Sequence, residues 1–341
     1  MADTRRLHFV GTMPQFGTAA EAFTWQLTEL GAQVRRLSGG ETGPRLAWFV
    51  PLVKELKRHP KIRAVREGDW TDYDDVDRLA VRRGEQLTSG DIPLHLAEWA
   101  KEELAVLEDS GSPATPDRPL QIGVPGYLDM ALFIFGPSGA IRHGRAFLDA
   151  VAAQIEEISA VAGDRVVYQL ETPAALIAVS SAPPPIRAVL ADLMSRMVLR
   201  QVASAPQRTR FGLHLCFGDM GHEAKLQPKT AAPLVTLANA LQRHWPQGST
   251  LEYLHLPLCG GQQPPSTDPA FYAPLKKLNG EPPLVAGIAH EAQPLADQFV
   301  VRRLVEDAVG RPVDIATACG LGRRTPEQAA DAVARMRALL G

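Results

Sequence analysis

The chain has 341 residues, with 36 Lys and Arg against 38 Asp and Glu and 45% hydrophobic residues. That balance excludes nucleic acid and anionic membrane as default partners, and the apolar content suffices for a large core. No apolar run reaches a membrane-spanning length, no apolar signal-peptide core follows Met1 to Arg6, and three cysteines, an odd number, argue against a disulfide framework. The expected setting is soluble, reducing and cytoplasmic, where thiolates remain available as ligands or nucleophiles.

Residues 7–10 read as a strand stopped by Gly11-Thr12-Met13-Pro14, and residues 19–30 as a helix closed by Gly31. Residues 33–37 form a second strand, running into Ser38-Gly39-Gly40-Glu41, and 45–56 a helix. The acidic stretch 67–77, with Trp70 and Tyr73, reads as an exposed loop or short helix and a candidate lid. A helix over 92–107 and a Pro/Ser-rich connection over 110–119 precede a third strand, 120–124. A helix over 144–162 leads to the fourth strand, 165–170, which ends at Glu171-Thr172-Pro173. Helix 185–203, strand 211–216, helix 231–244 and strands 250–256 and 283–288 follow. Helix 294–309, strand 313–317 and helix 326–340 complete the chain.

Eight strands alternating with helices predict an α/β fold, a single (β/α)8 TIM barrel. A doubly wound sheet competes, but no Gly-x-Gly-x-x-Gly or Walker-type loop supports it. Polar groups follow nearly every strand: Thr12, Glu41, Glu171, His214 with Cys216, His255, His290 and Cys319. In such barrels these strand ends build the active site.

If 211–216 is a strand, His214 and Cys216 share one face, because strand side chains alternate. A thiolate beside an imidazole begins a zinc site. Cys319, where an apolar run gives way to glycines, offers a second sulfur. Taken without the motifs below, both cysteines read sooner as small buried hydrophobes. Asp219 and His222 either orient a ligand or cap the next segment. Glu41 is either a site residue or a partner for Arg45. Arg323 and Arg324 are either solvated charges or an anion clamp. Cys259, beside Gly260-Gly261, reads as an exposed thiol.

Five motifs, in order and over nearly the whole chain, carry a family resemblance. They are Val10-Gly11-Thr12-Met13-Pro14-Gln15, Gly40-Glu41-Thr42-Gly43-Pro44-Arg45, Gln169-Leu170-Glu171-Thr172-Pro173-Ala174, His214-Leu215-Cys216-Phe217 and Cys319-Gly320-Leu321-Gly322-Arg323-Arg324. The set resembles the catalytic, C-terminal half of cobalamin-independent methionine synthase. It is similar too to zinc-dependent thiol alkyltransferases among the uroporphyrinogen-decarboxylase-like barrels. The resemblance implies one catalytic domain over residues 1–341, with zinc on His214, Cys216 and Cys319.

The family's fourth ligand, a glutamate, matches His255 here; Glu252 or the substrate itself are the alternatives. Thr12, Glu41 and Glu171 match groups that hold a substrate carboxylate and ammonium, and Arg324 joins them as a substrate-binding candidate. His290 and Asp219 are the catalytic candidates. The implied activity is zinc-dependent transfer of a methyl or alkyl group to a substrate thiol, held as its thiolate. The donor is a methyl-corrinoid, a folate, another small methyl donor or an epoxide. Thr at 12 and Glu at 171, where the family has Ser and Asp, point to a thiol other than homocysteine or to a shifted pose. Two readings compete: a metal-free, decarboxylase-like barrel using arginines such as Arg35, Arg36 and Arg45, and a non-catalytic small-molecule-binding barrel.

Overall fold

A computed structural model describes residues 5–47, 49–280 and 282–341. Thr18 caps helix α1 (Ala19–Trp25), its hydroxyl accepting from Glu21 N–H, and strand β1 is Leu37–Ser38. Helix α2 (Phe49–Arg58) leads into an antiparallel hairpin, β2 (Ile62–Arg66) and β3 (Arg78–Val81), that the sequence reading did not anticipate. After α3 (Leu96–Asp109), strands and helices alternate. The order is β4 (Leu120–Pro125), α4 (Tyr127–Ala162), β5 (Val166–Glu171), α5 (Pro173–Ser181), α6 (Pro184–Ala203), β6 (Arg210–His214) and α7 (Ala232–Arg243). Then come β7 (Thr250–Pro257), the single turn α8 (Pro269–Tyr272), β8 (Leu284–Gly287), α9 (Leu295–Val309), β9 (Asp314–Ala316) and α10 (Pro326–Ala338).

Seven strands form one parallel sheet in the order β1-β4-β5-β6-β7-β8-β9. The first expected strand, 7–10, is reduced to a single bridging residue: Leu7 pairs in parallel with both Val34 and Ile315, beside the two edges of the sheet. A chemical reason is visible. The Phe9 and Val10 carbonyls accept side-chain amides, Gln121 Nε2 at 2.7 and 3.3 Å, with Gln169 Nε2 also on Val10, instead of extending a backbone ladder. The helix expected over 144–162 reaches back to Tyr127 through a break at Gly136, where φ is +72°. Glycine tolerates that left-handed turn, and Pro137 has no N–H to continue the ladder.

Burial on both faces explains the apolar strands. Leu120, Ile122, Leu170, Leu213, Leu254 and Ile315 join the large core that includes the helices. Val10, Val167, Tyr253, Val285 and Ala316 form a second, separate cluster. Beside it lies a polar layer the sequence reading missed. Tyr253 O–H reaches Gln121 Oε1 and Gln169 Oε1, both at 3.0 Å, and the Arg36 guanidinium lies 4.0 Å from the Tyr253 ring centre. Gln121 and Gln169 each alternate with apolar neighbours along a strand, and that period was the available signal. Parallel register then sets Glu171 beside His214, and His214 beside His255, at the strands' C-terminal ends.

Candidate metal centre

β6 stops at His214, yet Leu215 N–H still donates to His255 O at 3.2 Å, so the strand's alternation carries through to Cys216. Gly218, with φ +81°, turns the chain, and its N–H donates to Cys216 Sγ at 3.2 Å. Cys319 sits on the turn after β9. Thr12 holds that turn: its carbonyl accepts Leu321 N–H and its hydroxyl oxygen accepts Gly322 N–H, both at 2.8 Å. A Cβ on Gly320 would fall 2.5 Å from Thr12 Oγ1, so this approach requires glycine. Thr12, expected to bind substrate, is thus committed to the Cys319 turn.

The fold brings His214, Cys216 and Cys319 together, their donor atoms all within 4.8 Å of one another. Cys319 Sγ lies 3.8 Å from both Cys216 Sγ and His214 Nε2. With zinc–sulfur bonds of about 2.3 Å, the edge of a tetrahedral site is about 3.8 Å, which these two separations match. His214 is buried and Cys319 half-buried, which leaves one side of the group open. Burial lowers the His214 pKa well below its usual value, keeping the imidazole in the neutral form a metal requires. The hydrogen bond with Cys216, then burial, raises the Cys319 thiol, so an entering cation must displace a proton.

His255, expected as the fourth ligand, does not join this group. Its Nδ1 lies 2.7 Å from His214 Nδ1 and its Nε2 3.0 Å from the Thr317 carbonyl. Glu252 is also no donor here. Near the start of β7 it forms a two-pronged ion pair with Arg210, at 2.7 and 3.2 Å.

Two carboxylates converge over Gly123, where an added Cβ would lie 2.8 Å from Glu41 Oε1 and 3.8 Å from Glu171 Oε1. Glu41 is held in the left-handed region, φ +43°, a strain found at functional positions. Burial above all pushes Glu41 up to about 7. Burial, then Glu41 and Asp129, push Glu171 up to about 8. Arg45 pairs with Glu103 at 2.6 Å, so the simple Glu41–Arg45 pair does not form. Among the described residues the Glu171 carboxylate has no hydrogen-bond or ion-pair partner, which suits it to a cationic ligand.

The neighbouring flank is largely paired within the protein. Arg324 Nε donates to Glu291 Oε2 at 2.9 Å and Nη1 to the Gly320 carbonyl at 3.4 Å, so the expected anion clamp is spent within the protein. Glu291 Oε1 lies 3.2 Å from His222 Nε2, and Asp219 lies 3.6 Å from His222 Nδ1. These two carboxylates raise His222 to about 9. Burial pushes Glu291 up, but His222 and Arg324 outweigh it and hold it at about 2. His290, expected to be catalytic, has no free nitrogen: Nε2 donates to Gly261 O and Nδ1 accepts Ala292 N–H, both at 3.1 Å. Asp219, the other catalytic candidate, is placed beside His222.

Tyr73 straps the loop after Cys216, donating to Glu223 O at 3.2 Å and accepting Met220 N–H at 3.0 Å. Trp70 packs on Phe49 and Phe133 instead. Cys259 is buried, not exposed, and burial pushes its thiol up to about 12. Arg35 pairs with Asp314 at 2.9 Å, so Arg35, Arg36 and Arg45 are each engaged away from the sulfur group. No described helix is long and apolar enough to cross a membrane.

No family profile matches the chain, and no curated protein does. Solved structures do. A Listeria monocytogenes protein provisionally named a vitamin-B12-independent methionine synthase aligns over 94% of this chain and 86% of its own, with TM-score 0.51 and 12% identity. A methyltransferase from Methanosarcina mazei aligns over 99% and 94%, with TM-score 0.52 and 13% identity. At these identities the likeness shows a shared fold.

Proposed function

We propose that this chain is a cytoplasmic, zinc-dependent transferase that moves a methyl or alkyl group to a substrate thiol. In this reading residues 1–341 are one catalytic domain, and the Leu7 bridges mark the closure of an eight-stranded barrel. The carrying observation is the approach of Cys216 Sγ, Cys319 Sγ and His214 Nε2 at a strand-end mouth, with sulfur–sulfur and sulfur–nitrogen separations of 3.8 Å. Bound there, zinc would supply a Lewis-acidic position at which a thiol ionises at neutral pH.

The chain's own groups set the rest. Cys216 and Cys319 give up their protons when they become ligands, and Gly218 N–H helps hold the Cys216 sulfur. Glu171, abreast of His214, and Glu41 beside it form a wall of carboxyl groups that a substrate ammonium group would draw into the ionised form. Thr12 fixes the Cys319 turn, and Tyr73 restrains the loop leaving Cys216, so both sulfurs are pre-positioned. The donor is a small methyl or alkyl carrier, with methyl-corrinoid, folate and epoxide all compatible with an open mouth.

Zinc per chain in the purified protein and in the Cys216→Ser/Cys319→Ser double variant tests this. The expected result is stoichiometric zinc falling to background. Zinc that persists at one per chain without both sulfurs would reject the assignment. X-ray absorption at the zinc edge, with and without candidate thiols, then reads whether a third sulfur joins.

A further inference from the structure

Resting on that metal assignment, we propose that His255 is a positioning residue and not a ligand. It fixes which nitrogen of His214 carries the proton, and it leaves the ion three protein donors and one position for an exogenous sulfur.

The geometry is that of a relay. The two imidazoles meet Nδ1 to Nδ1 at 2.7 Å, with room for one proton between them. On its other side, His255 Nε2 lies 3.0 Å from the Thr317 carbonyl oxygen, which has no proton to give. His255 Nε2 therefore carries a hydrogen. Neither ring has a carboxylate partner among the described residues, and a neutral imidazole holds a single N–H. His255 Nδ1 is then bare, and the shared proton sits on His214 Nδ1. That leaves a lone pair on His214 Nε2, the nitrogen that faces Cys319 Sγ at 3.8 Å. Ligating histidines are generally oriented through their second nitrogen by a carboxylate, carbonyl or water. Here another imidazole does that work and passes the bond on to a carbonyl.

The anchor is placed to matter. Thr317 begins the turn that carries Cys319, and Thr317 Oγ1 donates to Cys319 O at 2.6 Å. The relay therefore runs from one candidate ligand, across β7, to the turn bearing another. The surroundings hold His255 in this orientation. A Cβ on Gly287 would fall 2.9 Å from His255 Nε2, so the neighbouring strand leaves room for the ring by carrying no side chain there. On another side, the His8 ring stacks at 5.8 Å between centroids. Turning His255 toward the sulfurs would break both hydrogen bonds and leave their partners unpaired in a fully buried site.

Two measurements on the full chain test this without any activity assay. The first is X-ray absorption of the zinc-loaded protein and of His255→Asn and His255→Leu, with zinc affinity measured alongside. Asn keeps an acceptor where Nδ1 stood; Leu keeps none. The expected wild-type shell is two sulfurs, one imidazole and one lighter exchangeable donor. Zinc affinity should fall about 10–100-fold in His255→Leu and be largely restored in His255→Asn. A shell with two imidazoles that loses one in His255→Asn would overturn the proposal while leaving the metal reading standing. The second is 15N NMR of the histidines in the metal-free wild type, which needs neither zinc nor a folded variant. A proton on His214 Nδ1 is expected; one on Nε2 overturns the relay even if zinc binds. Failure of the wild type to bind zinc, with the expected tautomer present, rejects the metal reading instead.

Discussion

His214 and His290 follow strands two apart in the same sheet, and each is 1% exposed. They are nonetheless different devices. His214 spends one nitrogen on His255 and turns the other to a thiol. His290 spends both on backbone groups, Gly261 O and Ala292 N–H, and its own N–H goes to Gln298. Burial alone therefore says little about a histidine; the partner of its second nitrogen separates a candidate ligand from a strut. The same holds one layer out, where Glu171 has no hydrogen-bond or ion-pair partner among the described residues and Glu291 is held between His222 and Arg324.

The comparison breaks first at the two rings themselves. His214→Ala should abolish stoichiometric zinc with the fold intact, whereas His290→Leu should keep zinc and lose about 1–3 kcal/mol of stability, from the buried Gly261 carbonyl left without its partner. Metal analysis beside urea unfolding reads both. A His290 variant that folds normally and loses zinc would erase the distinction.

The two carboxylates come next. Burial raises Glu171 from 4.5 to about 8, so the folded chain prefers it protonated. Near pH 4.5 that preference has no effect. Between about 4.5 and about 8 the unfolded chain ionises while the folded chain keeps the proton, so stability falls across that window and levels off above it. Glu171→Gln removes that loss, so the gap between the two proteins should be smallest near pH 4.5, widen up to about pH 8 and stay level to pH 9, the variant gaining on the order of 2 kcal/mol across the window. A constant gap across that range would show that Glu171 is already ionised and solvated. Unfolding curves at a series of pH values decide it.

The smallest effect belongs to the third thiol. Cys259 is buried against the Gly287 carbonyl at 3.7 Å, so Cys259→Ala should change stability by about 1 kcal/mol or less and leave zinc untouched. Iodoacetamide should leave it unlabelled in the folded chain, and rapid labelling would show that it is reachable.

Much of the frame was legible from periodicity. Residues 120–124, 165–170, 250–256 and 313–317 read as strands because parallel strands buried on both faces are largely apolar, even where Gln121, Gln169, His255 or Asp314 interrupts the run. The β2–β3 hairpin escaped notice because Arg63, Arg66 and Arg78 give it no apolar signature. Helix α4 was read short because Gly136 and Pro137 mimic a terminus that the chain instead bends through. At the site, alternation placed His214 and Cys216 on one face, and the glycines around Cys319 marked a turn. Nothing local showed that His255 would face His214 and Thr317, or that Arg324 would pair with Glu291.

Sequence by itself set the residue chemistry and the rhythm: two thiols and an imidazole at apolar strand ends, in a βα alternation that leads to a parallel sheet. Side-chain period and hydrophobic burial are local properties, so they survive in one dimension. Tertiary structure alone decided who meets whom. It joined residues 214 and 319 across the sheet, turned His255 toward His214 and Thr317, and consumed His290 and Arg324 in bonds to residues far along the chain. Hydrogen-bond partnership depends on through-space geometry between distant segments, and no spacing rule encodes it.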